Sequence, residues 1–523
     1  ARVLRLPGGN DWLVLSPWGW FDGTQAARRK VACSVDGKIV LLDRMFDSFY
    51  RPGLLDELLG GDRPVPQSPL TSAAGPTLEI VSPEQGSVEN DQISLEVNVV
   101  DQGAGIRGPW LMHNGARLTS VAETQQEGDA LTCRFSVRLI PGLNRLEVHA
   151  ADEAGRIESV PATRNFVLDA KAGKPTLHVV AVGVNRYANG LGSLGYAAAD
   201  AEAITNQFQT QADSLFGDVR AQVLTDERAT TVRIASALKS LAEETSPSDT
   251  VLIYLAGLAA IDREGQLVFL PHDASGTLQD GAGESSLGIS EAALGEALDT
   301  VAALHRVVVL DVCGNGQPGA LHQQRSLRAV VNRISRNRGA VVVAAGSSTT
   351  VGRENQELAH GWLTYSLLAG LRAFPEGPLQ GSHAGTVLGG KIVTAAGWIR
   401  YAQEHLPKLF SEPGRSPRVF DALPDNDFPM FLFAESKPKL PMKNPPMEDD
   451  PTPVLPPQEN DPQPVLPPQE NDPQPVLPPQ DEEPNEAPPA PVEDPAPTPP
   501  LSTEDGPSLP PASLEAPGEV PSP

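Results

Sequence analysis

The chain has 523 residues, enough for two or three domains, and a formal net charge of −26. This excess of negative charge argues against nucleic acid and anionic membrane surfaces as partners, because both would repel it. No apolar run is long enough to span a bilayer, and the three cysteines, which fall in separate regions, predict no disulfide framework.

The first residue is Ala1 rather than Met, and no signal-like segment follows it. We therefore expect the true N-terminus to lie upstream of Ala1. Because a targeting segment would lie upstream of Ala1, this sequence does not decide where the protein is located. A cytoplasmic location is favoured, and export is the open alternative.

Residues 1–62 predict a strand-rich segment that is too small to bury a good core by itself. Short strands are expected at Asp11–Leu15 and Lys38–Leu42, and a short helix from Leu54 to Leu59 closes the segment. Residues 63–75 then form a linker.

Residues 76–169 have an all-β pattern with frequent turn signals. Ile93–Val99, Arg134–Leu139 and Asn144–Ala150 alternate apolar and polar residues, as half-buried strands do. Their length and rhythm predict an immunoglobulin-like β-sandwich. We expect it to act as a spacer, with His149 as a polar residue on a strand face.

Residues 173–434 alternate strands with helices, which predicts a mostly parallel sheet with helices on both faces. Thr230 is the expected N-cap of one helix. A short additional strand is expected at 417–420. The other predicted strands are 177–184, 219–224, 250–256, 306–310 and 339–345, and the helices are 197–212, 230–243, 290–302, 326–336 and 361–373.

Residues 437–523 form an acidic, Pro-rich segment that contains a sequence repeat. Pro453-Val-Leu-Pro-Pro-Gln-Glu-Asn-Asp461 recurs with small changes from Pro464 and again from Pro475. Such a segment buries too little apolar surface to fold and should sample extended polyproline II conformations. We interpret it as a disordered tail that acts as a spacer, because the repeats lack the basic residue that usually orients proline-rich ligands.

Two strands carry the motifs most informative about function. Val251 to Leu258 and Val307 to Gly314 are apolar runs that end in small or polar residues, as buried parallel strands do at the carboxyl edge of a sheet. The first ends in Tyr254-Leu-Ala-Gly-Leu258-Ala259, and the second in Asp311-Val-Cys313-Gly-Asn-Gly316. These endings resemble the Tyr-x-x-Gly-His-Gly and Asp-x-Cys motifs of caspase-like cysteine peptidases, which include metacaspases and their bacterial relatives.

The resemblance extends over about half of the chain. Val179–Asn185 looks like the first strand of the family, Leu267–Ala274 resembles its hairpin, and Gly361–Leu368 resembles a late helix. Residues 1–62 are similar to the segment that joins a WD40 propeller to a caspase-like domain in some bacterial proteins. That similarity implies that Ala1–Leu6 is the last strand of an upstream propeller; the alternative is a strand arm packed on the later domains.

The resemblance implies a cysteine nucleophile at Cys313 and a histidine base at the position of Leu258. Leucine can neither activate the thiol nor protonate a leaving amine, a proton-transfer contribution of about 10²- to 10⁴-fold. Gly316 lies where the family contributes a backbone donor to the oxyanion hole. Among the other histidines, His305 is excluded because it lies at the opposite end of its strand, whereas His272 and His360 stay open as displaced bases.

The resemblance also implies an acidic pocket for a substrate arginine or lysine. Asp311 matches the family's acid two residues before the cysteine, and Asp200 is a second candidate, with a helix-start carboxylate as the alternative interpretation. Arg325-Ser-Leu-Arg328 follows where family members place processing loops, so we expect it to be able to occupy the pocket.

These observations predict a multidomain caspase-like protein that needs no cofactor or metal. The leading hypothesis is a pseudoprotease that binds a protein or peptide through a basic side chain. The alternative is an active cysteine endopeptidase that cleaves after Arg or Lys, with Cys313 as nucleophile and a displaced histidine. A third hypothesis is a surface scaffold built on the immunoglobulin-like module and the tail.

Overall fold

The computed structural model describes most of the first 433 residues. No described helix is both long and apolar enough to cross a membrane. The predicted tail, 437–523, lies outside the described residues, as does most of the predicted linker. The described residues are 2–7, 11–66, 75–118, 123–210, 215–262, 265–275, 288–314, 320–346, 354–385, 387, 389–410, 418–423 and 426–433.

The N-terminal segment contains a three-stranded antiparallel sheet, a two-stranded hairpin and short helices. Its first strand pairs with the second inside this segment, in the register Arg2 to Leu15. This pairing is compatible with both the propeller strand and the strand arm, so both interpretations stay predictions. The elements are β1 (Arg2–Arg5), β2 (Trp12–Leu15), β3 (Phe21–Gly23), α1 (Gln25–Lys30), β4 (Ala32–Val35), β5 (Lys38–Leu41), α2 (Phe46–Phe49) and α3 (Leu54–Leu59), with a 3-10 turn at Leu42–Met45.

Two sheets of five and four strands follow and enclose one apolar core. Alternation explains this arrangement, since Leu95, Val97 and Val99 of one strand are all fully buried while Glu96 and Asn98 between them are partly exposed. The immunoglobulin-like identity of the module stays a prediction. Its strands are β6 (Thr77–Ser82), β7 (Gly86–Val88), β8 (Gln92–Val100), β9 (Arg107–His113), β10 (Ala116–Leu118), β11 (Glu123–Glu127), β12 (Ala130–Arg138), β13 (Gly142–Ala151) and β14 (Ala162–Leu168).

The third region is built on an eight-stranded mixed sheet, and five adjacent strands that begin at one edge are parallel. All the strands and helices predicted for it are present, some with ends displaced by a few residues, and the Thr230 hydroxyl accepts from the Arg233 amide as the predicted N-cap. The strands are β15 (Thr176–Gly183), β16 (Asp218–Thr225), β17 (Thr250–Ile261), β18 (Leu267–Phe269), β19 (Ile289–Ser290), β20 (His305–Gly314), β21 (Val341–Gly346), β22 (Glu354–Asn355), β23 (His360–Gly361), β24 (Ile392–Thr394), β25 (Arg418–Ala422) and β26 (Pro429–Leu432). The helices are α4 (Ala197–Thr210), α5 (Thr231–Glu244), α6 (Glu291–Thr300), α7 (Ala320–Arg338), α8 (Trp362–Gly370) and α9 (Ala395–His405).

Successive residues of the central strands enter two different cores. In β20, Val308 and Leu310 pack in the core beneath α5, α6 and α7, whereas Val307 and Val309 pack in the core beneath α4, α8 and α9. This confirms the prediction of helices on both faces. Each fully buried valine or leucine contributes roughly 1.5–3 kcal/mol of transfer free energy, so the sheet is a rigid support for side chains at its carboxyl edge.

The N-terminal segment packs along one side of α7. The Arg328 guanidinium of this helix pairs with Asp22 at 2.9 Å, and Arg28 donates to Asn332 at 3.2 Å. One turn further along, Arg336 donates to the Asp43 carbonyl at 2.6 Å, and it also contacts the two carboxylate oxygens of Glu158, in the β-sheet module, at 2.7 and 2.9 Å. The segment therefore contributes buried polar partners to the α/β region.

Candidate functional site

Leu258 and Cys313 are direct neighbours at the carboxyl edge of the sheet. They are Cα partners in the parallel ladder between β17 and β20, as the two sequence motifs predict. Both side chains are nearly inaccessible, with 4% and 8% exposure, and both belong to the same apolar core. The position where the family has its base is therefore part of a hydrophobic core.

The backbone around Leu258 is fixed by Tyr187. The Leu258 amide donates to the Tyr187 hydroxyl at 2.6 Å, and that hydroxyl in turn donates to the Val184 carbonyl at 3.4 Å. Because this amide is engaged with a buried tyrosine, the strand end cannot move without breaking a buried hydrogen bond. The leucine is thus held next to the thiol.

Asp200 and Asp311 converge on Gly361. A Cβ atom at Gly361 would lie 2.7 Å from Asp311 Oδ2 and 3.0 Å from Asp200 Oδ2, closer than carbon and oxygen pack. Only a residue without a side chain lets both carboxylates approach this point. The structure therefore brings together the two acids that the sequence singled out separately.

Asp200 is buried and has a defined set of partners. Its Oδ1 lies 2.6 Å from Nδ1 of His360, and its Oδ2 accepts from the Gly361 amide at 3.0 Å. His360 comes directly before Gly361, the N-cap of α8. Asp200 also lies in the first turn of α4, so both interpretations of this residue, pocket acid and helix-start carboxylate, are compatible with its position.

Asp311 lies at the end of a chain of hydrogen bonds. The Thr364 hydroxyl donates to Asp311 Oδ2 at 2.6 Å, and the Thr364 amide donates to the same atom at 3.3 Å. Because the threonine proton is used in this way, Tyr254 must be the donor in its 2.6 Å contact with Thr364 Oγ1. Burial raises the pKa of Tyr254 well above its ordinary value, and Asp200 and Asp311 raise it further, so the phenol stays protonated.

Sequence reasoning did not assign roles to His360, Thr364 and Tyr254 as partners of the acids. Tyr254 and Thr364 lie inside motifs that carry the family resemblance, and this position was the one indication in the sequence that they belong to the site. The polar character of both was visible, but their pairing depends on the sheet and α8 meeting, which spacing alone does not reveal.

The three histidines considered as displaced bases lie in different surroundings. His305 begins β20 and stacks on Phe428 with ring centroids 4.5 Å apart, at the opposite end of the strand from Cys313. His272 Nδ1 lies 2.6 Å from the Arg186 carbonyl oxygen. His360 is the histidine that contacts the acidic pocket.

The expectation that Arg325-Ser-Leu-Arg328 can occupy the acidic pocket is wrong. Both arginines lie within α7, and carboxylates of the N-terminal segment hold their side chains. Arg328 pairs with Asp22, and Arg325 Nη1 lies 3.4 Å from Glu57 Oε1. The helix predicted over 326–336 extends through this stretch, and its ion pairs hold both arginines against the N-terminal segment.

Gly316, the predicted oxyanion donor, lies outside the described residues. Among the residues that the structure describes, no group of three or more His, Cys, Asp and Glu side chains is arranged to hold a metal ion. The described geometry offers a thiol in an apolar setting and, at the same edge of the sheet, a pair of carboxylates.

Comparison with known proteins identifies a family for part of the chain. The family model of the caspase domain matches residues 176–388. No curated protein is significantly similar in sequence to this chain.

Three solved structures illustrate the structural likenesses. A protein of Geobacter sulfurreducens is 14% identical, over 48% of this chain and 95% of its own, with a TM-score of 0.32. The SrpA adhesin of Streptococcus sanguinis is 14% identical over 24% and 69% of the two chains, with a TM-score of 0.15. Titin M4 is 15% identical over 19% and 100%, with a TM-score of 0.13. TM-scores this low do not establish a shared fold.

Proposed function

Given that residues 176–388 are a caspase domain, we propose that this domain no longer cleaves peptide bonds and instead binds a protein or peptide through a basic side chain. The observation that carries the proposal is the pairing of Leu258 with Cys313 in register. Thiol proteolysis needs a thiolate and a group that protonates the leaving amine. An unassisted cysteine is only a few per cent thiolate at neutral pH, and a buried leucine supplies neither function.

The acidic pocket supports the binding half of the proposal. Asp311 and Asp200 place carboxylate oxygens 2.7 and 3.0 Å from one point at Gly361, and this concentration of negative charge favours a guanidinium or ammonium group. Asp200 is engaged by His360 and Gly361, so we assign it a supporting role. Losing the base removes the chemistry but not the negative charge that recognises a basic side chain.

A second candidate is an active endopeptidase, and one observation favours it. The contact between His360 Nδ1 and Asp200 orients an imidazole at the acidic pocket, in the way that a carboxylate orients the histidine of a catalytic triad. In this alternative Cys313 is the nucleophile and His360 the displaced base, with Asp200 as its orienting group. Cleavage would follow Arg or Lys held by Asp311.

The other modules carry no residues with an assigned chemical role, and what is expected of them is predicted from the sequence. The immunoglobulin-like identity of residues 76–169 and the disorder of the tail stay predictions. The scaffold hypothesis depends on those two segments, and it stays a prediction as well.

Turnover of peptides with Arg or Lys before a fluorogenic leaving group tests the proposal, with and without calcium. We expect no turnover that depends on Cys313, and the Cys313→Ala variant supplies the baseline. Turnover by the wild type that disappears in both Cys313→Ala and His360→Ala would overturn the pseudoprotease proposal in favour of the active alternative.

A further inference from the structure

A cleft of about 730 Å³ lies away from the candidate site, where the three regions of the fold meet. One wall is the outer face of the sheet that contains β9 and β13. The other wall combines the N-terminal segment with the C-terminal end of α7, including Arg336 and Asn337. Because α7 runs back from the Cys313 end of the sheet, this cleft is at the opposite edge from the acidic pocket. Its volume is within the range of roughly 300–1,000 Å³ typical of small-molecule sites.

Three side chains from adjacent strands form a stacked row on the sheet wall. The Trp110 and His149 rings are nearly parallel, at 12°, with centroids 5.9 Å apart, and the Arg117 guanidinium lies 5.0 Å from the Trp110 centroid. Their strand neighbours Leu111 and Val148 are fully buried on the other face, so alternation directs this row into the cleft. Trp110, His149 and Arg117 all line the cleft.

Cationic groups outnumber anionic groups in the cleft lining. The arginines are Arg29, Arg107, Arg117, Arg145 and Arg336, and the carboxylates are Asp43, Asp47, Glu147 and Glu158. The chain as a whole has a formal charge of −26, so the cleft lining, with more arginines than carboxylates, differs in sign from the rest of the molecule.

The arginines are not equally compensated. Arg336 is paired with Glu158 through two hydrogen bonds, and Arg145 lies 2.8 Å from Glu147. Arg117, in contrast, comes no closer than 3.9 Å to Asp299. Arg107 is exposed and forms no ion pair with any carboxylate that the structure describes. Arg107 and Arg117 therefore have capacity for an additional anionic partner.

His149 adds a neutral polar group beside these cations. Neither of its ring nitrogens has a hydrogen-bond partner among the described residues, although the ring lies in the cleft wall. Burial lowers the pKa of His149 to about 4, and Arg336, Arg117 and Arg145 lower it further. At neutral pH the imidazole is thus one donor and one acceptor, held in a positive field.

We propose that this cleft binds a small anion carrying carboxylate or phosphate groups, with Arg107 and Arg117 as its direct ion-pair partners and the edges of Trp110 and His149 as its polar and aromatic wall. A small molecule fits better than a protein segment, because the cleft is bounded by three parts of the same chain. The proposal is independent of whether the caspase domain cleaves or binds peptides.

Isothermal titration of the full chain with three probes tests the proposal: citrate, inorganic phosphate and adenosine monophosphate. We expect at least one probe to bind with a millimolar or lower dissociation constant and to bind more weakly as sodium chloride is added. Citrate binding alone indicates a carboxylate ligand and phosphate binding alone a phosphate ligand. Preference for adenosine monophosphate over phosphate indicates stacking on the aromatic wall.

The double variant Arg107→Gln/Arg117→Gln should weaken that binding by about ten-fold or more, because two charge-assisted contacts are lost. Arg138→Gln is the matched control, since this arginine is 65% exposed on the other sheet of the same module. Unchanged melting temperatures will show that the variants fold. The proposal is overturned if none of the probes binds at about 10 mM, or if the double variant binds as well as Arg138→Gln does.

Discussion

Asp200 and Asp311 come from the first turn of a helix and the end of a strand, yet an oxygen of each carboxylate lies against the same glycine, Gly361. Two like charges that share a site repel each other unless donors or cations balance them. His360 and the Gly361 amide balance Asp200, and Thr364 balances Asp311. A basic side chain from a partner would interact favourably with this pair of carboxylates, and we expect changes at either Asp311 or Gly361 to weaken that interaction.

Replacing Asp311 with asparagine should weaken the binding of an Arg-containing peptide by about ten-fold. This factor corresponds to about 1.4 kcal/mol for a lost charge-assisted hydrogen bond. Asparagine keeps an oxygen for Thr364, so the fold should be retained. Fluorescence anisotropy with peptides that differ only in Arg or norleucine measures the effect. Asp218→Asn is the control, because Asp218 is exposed at the start of β16. Equal affinity of the wild type for the Arg and norleucine peptides would show that the acidic pocket does not recognise a basic side chain.

Gly361→Ala should weaken the binding of the same peptide to a similar extent, although neither acidic residue is removed. A methyl group there would meet Asp311 Oδ2 at 2.7 Å and must displace it. Backbone strain does not contribute, since Gly361 has φ −61°, which alanine adopts readily. The control is Gly173→Ala, where a Cβ atom meets nothing within 4 Å. Binding as tight as that of the control would mean that the two carboxylates do not act together.

Leu258→His should place an imidazole beside Cys313, because these positions are paired in register. A neighbouring imidazolium lowers a thiol pKa, so the variant should react with iodoacetamide faster than the wild type at mildly acidic pH. Leu258→Asn is the control for opening the buried position without adding an imidazole. If the two variants react at the same rate, the β17 and β20 ends are not arranged as a dyad.

Arg336→Ala should lower the free energy of unfolding by about 3–5 kcal/mol, because it leaves Glu158 buried and unpaired. Burial raises the pKa of Glu158, and Arg336 is the group that opposes this increase. Urea denaturation measures the change. Arg138→Ala, which breaks an exposed pair with Asp91, should change the free energy by no more than about 1 kcal/mol. Equal losses in both variants would contradict the structural role of Glu158.

The β-sheet module should become less stable as the pH falls from about 6.5 to about 4. Burial lowers the pKa of His113 to about 4, and its side chain is completely inaccessible. The unfolded state therefore takes up a proton at higher pH than the folded state, so stability declines as pH falls across this interval. One such group gives a slope of up to about 1.4 kcal/mol per pH unit. His113→Gln should flatten the slope of unfolding free energy against pH, and an unchanged slope would refute this assignment.

The sequence was informative where a residue's environment depends on its immediate neighbours. The uninterrupted apolar runs of β17 and β20 predict buried parallel strands, and the motifs at their ends predict that Leu258 and Cys313 are adjacent. Period-2 alternation likewise predicts the strands of residues 76–169. In each case the signal is local and periodic, which is what a single sequence records well.

Contacts between distant segments were much less predictable. The pairing of His360 with Asp200 requires α8 and α4 to meet at one edge of the sheet, and no spacing rule contains that information. The pairing of Arg325 with Glu57 and of Arg328 with Asp22 was likewise not predictable, because these partners lie more than 250 residues earlier in the chain. Short helices of the N-terminal segment, such as Phe46–Phe49, were also missed because they are too short for a helical period to show.

The arrangement of the N-terminal segment along α7 has a consequence for where this protein can be cut. Arg328 and Arg336 both take their counterions from residues before 176, where the family match starts. A fragment trimmed to the matched residues would expose those guanidinium groups and the apolar surface beside them. We therefore expect the smallest autonomous folding unit to be larger than the family domain, with residues 11–66 behaving as a non-covalently retained part of it after proteolysis.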